Sequence, residues 1–137
     1  MTQINAYLTL NGNCREAMTF YKECLGGELT MQAVEDSPIA SQMPAHTLKQ
    51  ILHASLVKDG LVIMASEMAR EKPVNGNTIS LCLQCSSEEE IQTYFTKLSS
   101  GGKIIDSLKE QFWGSKYGEL KDKFGINWVL NYDKNQK

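Results

Sequence analysis

The chain has 137 residues, of which 42% are hydrophobic and 22% charged, with a formal net charge of -2. These values describe one ordinary globular domain with a real core, too short for two independently folding catalytic domains. They exclude a nucleic-acid binder, whose lysines would form a basic stripe with interleaved aromatics, and a membrane protein, because no apolar run approaches the length of a span.

The N-terminal sequence MTQINAYLTLNG lacks a basic n-region followed by an apolar stretch, so a cytoplasmic location is expected. From Ile4 to Leu10 the residues alternate. Ile4, Ala6, Leu8 and Leu10 share one face, and Asn5, Tyr7 and Thr9 share the other, the period of a half-buried strand. The period then changes. Cys14, Ala17, Met18, Tyr21, Cys24 and Leu25 form the apolar stripe of a helix, with Asn13 as its N-cap and Gly26-Gly27 as its stop. A strand from Glu28 to Val34 follows. Glu35–Lys49 then loses periodicity and carries Pro38 and Pro44, which predicts a long loop acting as a lid or rim. Ile51–Val57 and Leu61–Glu67 flank Lys58-Asp59-Gly60, a strong short-range hairpin signal.

Past the polar Met68–Asn77 segment the pattern restarts. Thr78–Cys85 reads as a strand with Ile79, Leu81, Leu83 and Cys85 on one face and Ser80, Cys82 and Gln84 on the other. Ser86 and Glu89 make a capping box for a helix with the stripe Ile91, Tyr94, Phe95 and Leu98, ended by Gly101-Gly102. The run Glu88–Glu90 complements the helix dipole and is not a catalytic carboxylate pair. Lys103–Asp106 is a short strand. A loop leads to Trp113, and two further strands flank Lys121–Gly125. Cys82 and Cys85, an odd number of residues apart in a strand, should face opposite ways, which argues against a redox or zinc pair and for reduced structural thiols.

The two halves repeat. Leu10 to Leu83 and Leu25 to Leu98 both span 73 residues, and Gly27 to Gly102 spans 75. Gly27 to Gly60 spans 33 residues against 23 from Gly102 to Gly125, and the Glu35–Lys49 loop accounts for the excess. The expected architecture is α+β: two βαβββ modules, 1–68 and 77–137, within one 1–137 domain. Each has a mixed sheet with one helix on its outer face. The helix packs on the continuous apolar face, so the opposite face should line a cleft.

Four stretches, YLTLNGNCREAMTFYKECLGGEL, HASLVKDGLVIMASE, WGSKYGELKDKFGINW and the FGINW core of the last, resemble the PhnB-like branch of the vicinal oxygen chelate superfamily. That superfamily includes glyoxalase I, extradiol dioxygenases and bleomycin-resistance proteins. The resemblance spans essentially the whole chain and implies paired βαβββ modules enclosing a cleft, and a homodimer; it implies little about reaction. Catalytic members hold a divalent metal on the first and last strands of each module, positions that carry over to Asn5, Met64, Ser80 and Val129. These are poor ligands, so no resident cofactor is predicted, while the alternative reading keeps a divalent metal.

His53 falls on the expected cleft face with Ile51, Ser55 and Val57. It serves either as a general base or as a hydrogen-bonding side chain that shapes the cavity. By the repeat, His53 and Ser55 correspond to Tyr117 and Glu119, a polar set able to orient a small ligand. Trp113 beside Gly114 is either cavity wall or core, whereas Trp128, on the Ile126 and Leu130 face, reads as core. The expected ligand-binding residues are His53, Ser55, Trp113, Tyr117, Asn5 and Ser80. The expected function is metal-independent binding of a small molecule. The alternative is a lyase, isomerase or dioxygenase using His53 with Glu67 or Glu119. Methyl transfer is disfavoured, because no glycine-rich strand-to-helix turn is present for a nucleotide-like cofactor.

Overall fold

Burial of the two helical stripes organises the structure. The computed structural model describes residues 1–69 and 71–134, so the last three positions of the expected second module lie outside the described residues. Strands and helices follow in the order β1 (Ala6–Thr9), α1 (Cys14–Leu25), β2 (Glu28–Ala33), β3 (Ile51–Lys58), β4 (Leu61–Ser66), β5 (Leu81–Gln84), α2 (Glu88–Ser99), β6 (Lys103–Glu110), β7 (Ser115–Lys121) and β8 (Asn127–Asp133). The chain divides into two compact units, Met1–Val74 and Asn75–Lys137. Each holds one four-stranded mixed sheet, of order β1-β4-β3-β2 in the first and β5-β8-β7-β6 in the second. These are the two βαβββ modules of the expected α+β architecture. None of the described helices is long and apolar enough to cross a membrane.

In the first unit α1 packs on β2, β3 and β4. Its stripe of Cys14, Ala17, Met18, Tyr21, Cys24 and Leu25 is buried against Ala54, Leu56, Ile63 and Ala65 on the inward sides of β3 and β4. Gly26 and Gly27 end the helix at φ 77 and 97, a left-handed turn that favours glycine. A Cβ on Gly27 would also lie 2.8 Å from the Val57 carbonyl oxygen. Lys58 donates to the Leu25 carbonyl at 2.9 Å, placing a cation on the last turn of the helix. The β3–β4 hairpin turns at Asp59, whose φ is 48, with Lys58 paired to Leu61.

In the second unit α2 packs on β6, β7 and β8. Ile91, Phe95 and Leu98 are buried with Leu120, Trp128 and Leu130. Trp128 is 1% exposed and donates its indole N–H to Asp122 Oδ2 at 2.8 Å. Asp122, itself buried, also accepts the Phe124 and Ile126 amides at 2.8 and 3.1 Å, so one carboxylate organises the β7–β8 turn. Cys85 is buried and Cys82 exposed, the opposite facing that their spacing predicts.

Several boundaries depart from the sequence expectation. Strand β1 starts at Ala6 rather than Ile4, and β5 at Leu81 rather than Thr78, because the parallel ladders to β4 and β8 begin only at the pairs Ala6–Ile63 and Leu81–Trp128. Ile4 and Ile79 are exposed as a result. Ile51 is buried instead of sharing the His53 face, since a bulge between Gln32 and Ala33 shifts the register at the start of β3. Strand β6 runs on to Glu110, past the expected end at Asp106, because β7 remains paired with it as far as Lys116. Val34, expected as the last residue of its strand, instead opens the first of three 3-10 turns, Val34–Asp36, Ala40–Gln42 and Ala45–Thr47, that lie within residues 34–47.

Both helix caps also differ from the local motifs. The α2 cap is Ser87, whose hydroxyl accepts the Glu90 amide at 3.1 Å, while Glu90 accepts the Ser86 amide at 3.0 Å. The box is thus one residue later than Ser86 and Glu89 suggest, since Cys85 still donates to the Asn131 carbonyl in the sheet. Asn13 makes no side-chain cap bond. The first amide of α1, on Cys14, instead donates to Glu67 Oε2 at 3.2 Å, a cap delivered from the end of β4.

Candidate functional site

A helix covers one face of each sheet, and the strand register fixes which side chains share the opposite face. In the first unit the cross-strand row runs Thr30, Ser55, Met64, Tyr7. His53 is exposed one pair further along β3, opposite Gln32, and its ring lies 6.3 Å from that of Tyr7 at a tilt of 36°. In the second unit the equivalent row is Asp106, Glu119, Val129, Cys82, followed by Lys109, Tyr117, Asn131, Gln84. Ser55 and Glu119 therefore occupy matching places, beside Met64 and Val129, and His53 matches Tyr117.

Tyr117 and Glu119 are two residues apart on β7, which puts them on the same face. The Tyr117 hydroxyl donates to Glu119 Oε1 at 2.6 Å. This bond to a carboxylate, reinforced by burial and by the Glu119 charge, pushes the phenol up to about 12. Glu119 also lines a cavity of about 400 Å³ in this unit, together with Asn77, Ser80, Lys103, Lys121 and Asn127. That size is within the range of small-molecule pockets. Asn131 donates to Gln84 at 3.0 Å further along the face.

The other expected site residues are placed as follows. Ser80 lies just before β5 and lines the cavity. Asn5 is exposed, just before β1. Trp113 is 52% exposed in the β6–β7 connection, edge-on to the 96% exposed Phe112 with centroids 4.9 Å apart. Both Glu67 oxygens accept backbone amides, from Cys14 at 3.2 Å and Ile51 at 2.6 Å, so this carboxylate ties α1 to the start of β3. His46 is exposed in the 3-10 turn Ala45–Thr47.

The metal-bearing positions can be tested on their donors. Beside Met64 in the parallel ladder stands Tyr7, and beside Val129 stands Cys82. The expected positions Asn5, Met64, Ser80 and Val129 offer an amide, a thioether, a hydroxyl and an alkyl group, and the ladder partners Tyr7 and Cys82 would add only a phenol and a single thiol, so neither set supplies the His and carboxylate ligands of a catalytic Zn²⁺, Ni²⁺ or Fe²⁺ centre. Among the described residues no three of His, Cys, Asp and Glu form a metal-binding group.

Sequence reasoning missed Lys103, Lys121, Asn77 and Asn127. The alternation of β7, with Tyr117, Glu119 and Lys121 at successive even spacings, carried the signal for Lys121; the cross-strand pairing that adds Lys103 is not a local property.

Comparison with known proteins supports the same architecture. The family model described as 3-demethylubiquinone-9 3-methyltransferase matches residues 2–131. Protein YjdN of Escherichia coli K12 is 30% identical, with 97% of each chain covered. Among solved structures, protein PA1353 from Pseudomonas aeruginosa has a TM-score of 0.85 at 36% identity, covering 97% of this chain and 98% of that one. A PhnB protein from Bacillus cereus has a TM-score of 0.73 at 26% identity, covering 96% and 99%. A glyoxalase/bleomycin resistance protein/dioxygenase from Nocardioides shares the fold, with a TM-score of 0.59 at 17% identity over 100% of this chain and 87% of that one.

Proposed function

Because the chain belongs to the 3-demethylubiquinone-9 3-methyltransferase family, in the PhnB-like branch of the vicinal oxygen chelate superfamily, we propose that it is a small-molecule binding protein working without a metal centre. The observation that carries this reading is the second unit's cavity, bordered by a carboxylate already oriented by its tyrosine partner. A superfamily scaffold with an apolar or sulfur side chain at the metal positions keeps the polar groups that hold a ligand and gives up the Lewis acid. Methyl transfer finds no support in this chain's own residues. Its β1–α1 turn, Asn11-Gly12-Asn13, has one glycine where a nucleotide-like cofactor would call for a glycine-rich turn.

Ligand-observed NMR with a library of neutral fragments tests the proposal. Fragments should bind the native protein, and their signals should weaken in Glu119→Gln, which folds on the same ladder but loses the charged acceptor. A library without a single binder at millimolar concentration would contradict it.

A second reading, acid–base catalysis, is favoured by the same pair. Glu119 is the candidate carboxylate with a side-chain donor in place, whereas both Glu67 oxygens are taken by backbone amides. It predicts turnover of a bound compound that Glu119→Gln abolishes while affinity is retained.

A further inference from the structure

We infer that the second unit's cavity takes a small anionic ligand, its phosphate or carboxylate group held between Lys103 and Lys121. This rests on the small-molecule reading above and names the ligand class of that site. Lys103 and Lys121 are direct partners in the antiparallel β6–β7 ladder, and both line the cavity. Like charges in that relation repel one another. Other lysines of the unit are matched to acids: Lys109 to Asp106 at 3.6 Å and Lys116 to Glu88 at 3.0 Å. Lys103 and Lys121 make no side-chain hydrogen bond or ion pair among the described residues. An opposed pair of ammonium groups without a protein anion is what an external anion would relieve.

The remaining lining argues for a built pocket rather than a bare surface pair. Asn127 donates its amide to the carbonyls of Gly76 and Ile79, at 2.7 and 3.4 Å, and so holds the segment carrying Asn77 and Ser80 to β8. That segment adds a hydroxyl and a further amide to the cavity. The one carboxylate in the lining is Glu119, which already accepts the Tyr117 hydroxyl. Two cations against one anion leave the cavity net positive. Glu119 repels an anionic group placed next to it and accepts from a hydroxyl or amino group. The chemistry therefore selects a compound with an oxyanion at one end and a hydrogen-bond donor at the other.

The test is a ¹⁵N–¹H NMR titration with inorganic phosphate and, separately, with acetate, ionic strength being held constant with chloride. Saturable shifts at the Ser80, Lys103, Lys121 and Asn127 amides are expected in the millimolar range for at least one anion. Saturation by phosphate alone assigns a phosphorylated ligand, and saturation by acetate alone or by both assigns a carboxylate-accepting site. Lys121→Met and, independently, Lys103→Met should weaken the binding at least about tenfold, the loss of one charge-assisted bond. Each should also raise the melting temperature of the anion-free protein by removing the repulsion. Failure of both anions to saturate, or unchanged affinity in both variants, would overturn the inference. If neutral fragments bind and neither anion does, this inference fails and the small-molecule reading stands; if nothing binds, both fail.

Discussion

The hydroxyl of Tyr117 and the carboxylate of Glu119 are joined by a 2.6 Å hydrogen bond along the open face of β7, next to the cavity of the second unit. This pair is the firmest chemical feature of the candidate site, and it has a titration signature. The bond to Glu119, then burial and the Glu119 charge, raise Tyr117 to about 12. The folded state thus holds the phenolic proton more tightly than the unfolded chain, where tyrosine titrates near its usual value of about 10. Its contribution to stability is complete below about pH 10 and is lost as pH rises through about 12. Glu119→Gln should bring the Tyr117 midpoint, read from phenolate absorbance against Tyr117→Phe, back toward the ordinary value. An unchanged midpoint would mean that the carboxylate is not its partner in solution.

Glu67 is expected to show up in stability measurements. Its carboxylate accepts amides from residues 53 and 16 positions away in sequence, capping α1 and fixing the start of β3. Glu67→Ala should cost about 2 kcal/mol in urea unfolding, the scale of hydrogen bonds to a charged group at a half-buried site. Glu67→Gln, keeping one carbonyl acceptor, should cost less.

Asp122 and Trp128 provide an independent probe of the second unit. Asp122 is 3% exposed and accepts three hydrogen bonds, so Asp122→Ala strands two amides and an indole N–H in the interior. A loss of about 3 kcal/mol is expected, with a change in Trp128 fluorescence. A surface-like effect below about 0.5 kcal/mol would show that the turn re-forms without the carboxylate.

The cysteines should react unequally. Burial, with the nearby carboxylates of Glu67 and Glu90, pushes Cys14 and Cys85 up to about 12, and Cys24 is also buried; Cys82 alone is exposed. A thiol reagent at pH 8 should label one cysteine per native chain quickly, and Cys82→Ser should abolish that phase. Rapid labelling of several thiols would mean that the helix faces open readily.

The units were legible from local sequence because their signals are local: the apolar stripe from Cys14 to Leu25, the Asp59-Gly60 turn, and the near-constant spacing between equivalent residues of the two halves. The same holds for Trp128 as a core residue and for the matching of His53 and Ser55 with Tyr117 and Glu119, which the strand pairings reproduce. What was not legible is set by partners far away in sequence. Ile4 alternates correctly but has no strand beside it, Ile51 is turned inward by a bulge in the pairing of β3 with β2, and α1 is capped by Glu67 rather than by Asn13. Likewise Tyr7 and Cys82 became the neighbours of Met64 and Val129 only through the parallel ladders.

The central claim is that ligand binding needs no metal, because Asn5, Met64, Ser80 and Val129, the positions to which the family resemblance assigns metal ligands, include no His, Glu or Asp. The most direct measurement is fragment affinity, read by NMR at the Tyr117 and Glu119 amides, for protein purified without added metal, before and after EDTA dialysis, with elemental analysis of both samples. The account predicts equal affinities and no stoichiometric Zn, Ni, Fe or Mn in the undialysed protein. Stoichiometric metal together with a large loss of affinity on dialysis would contradict it.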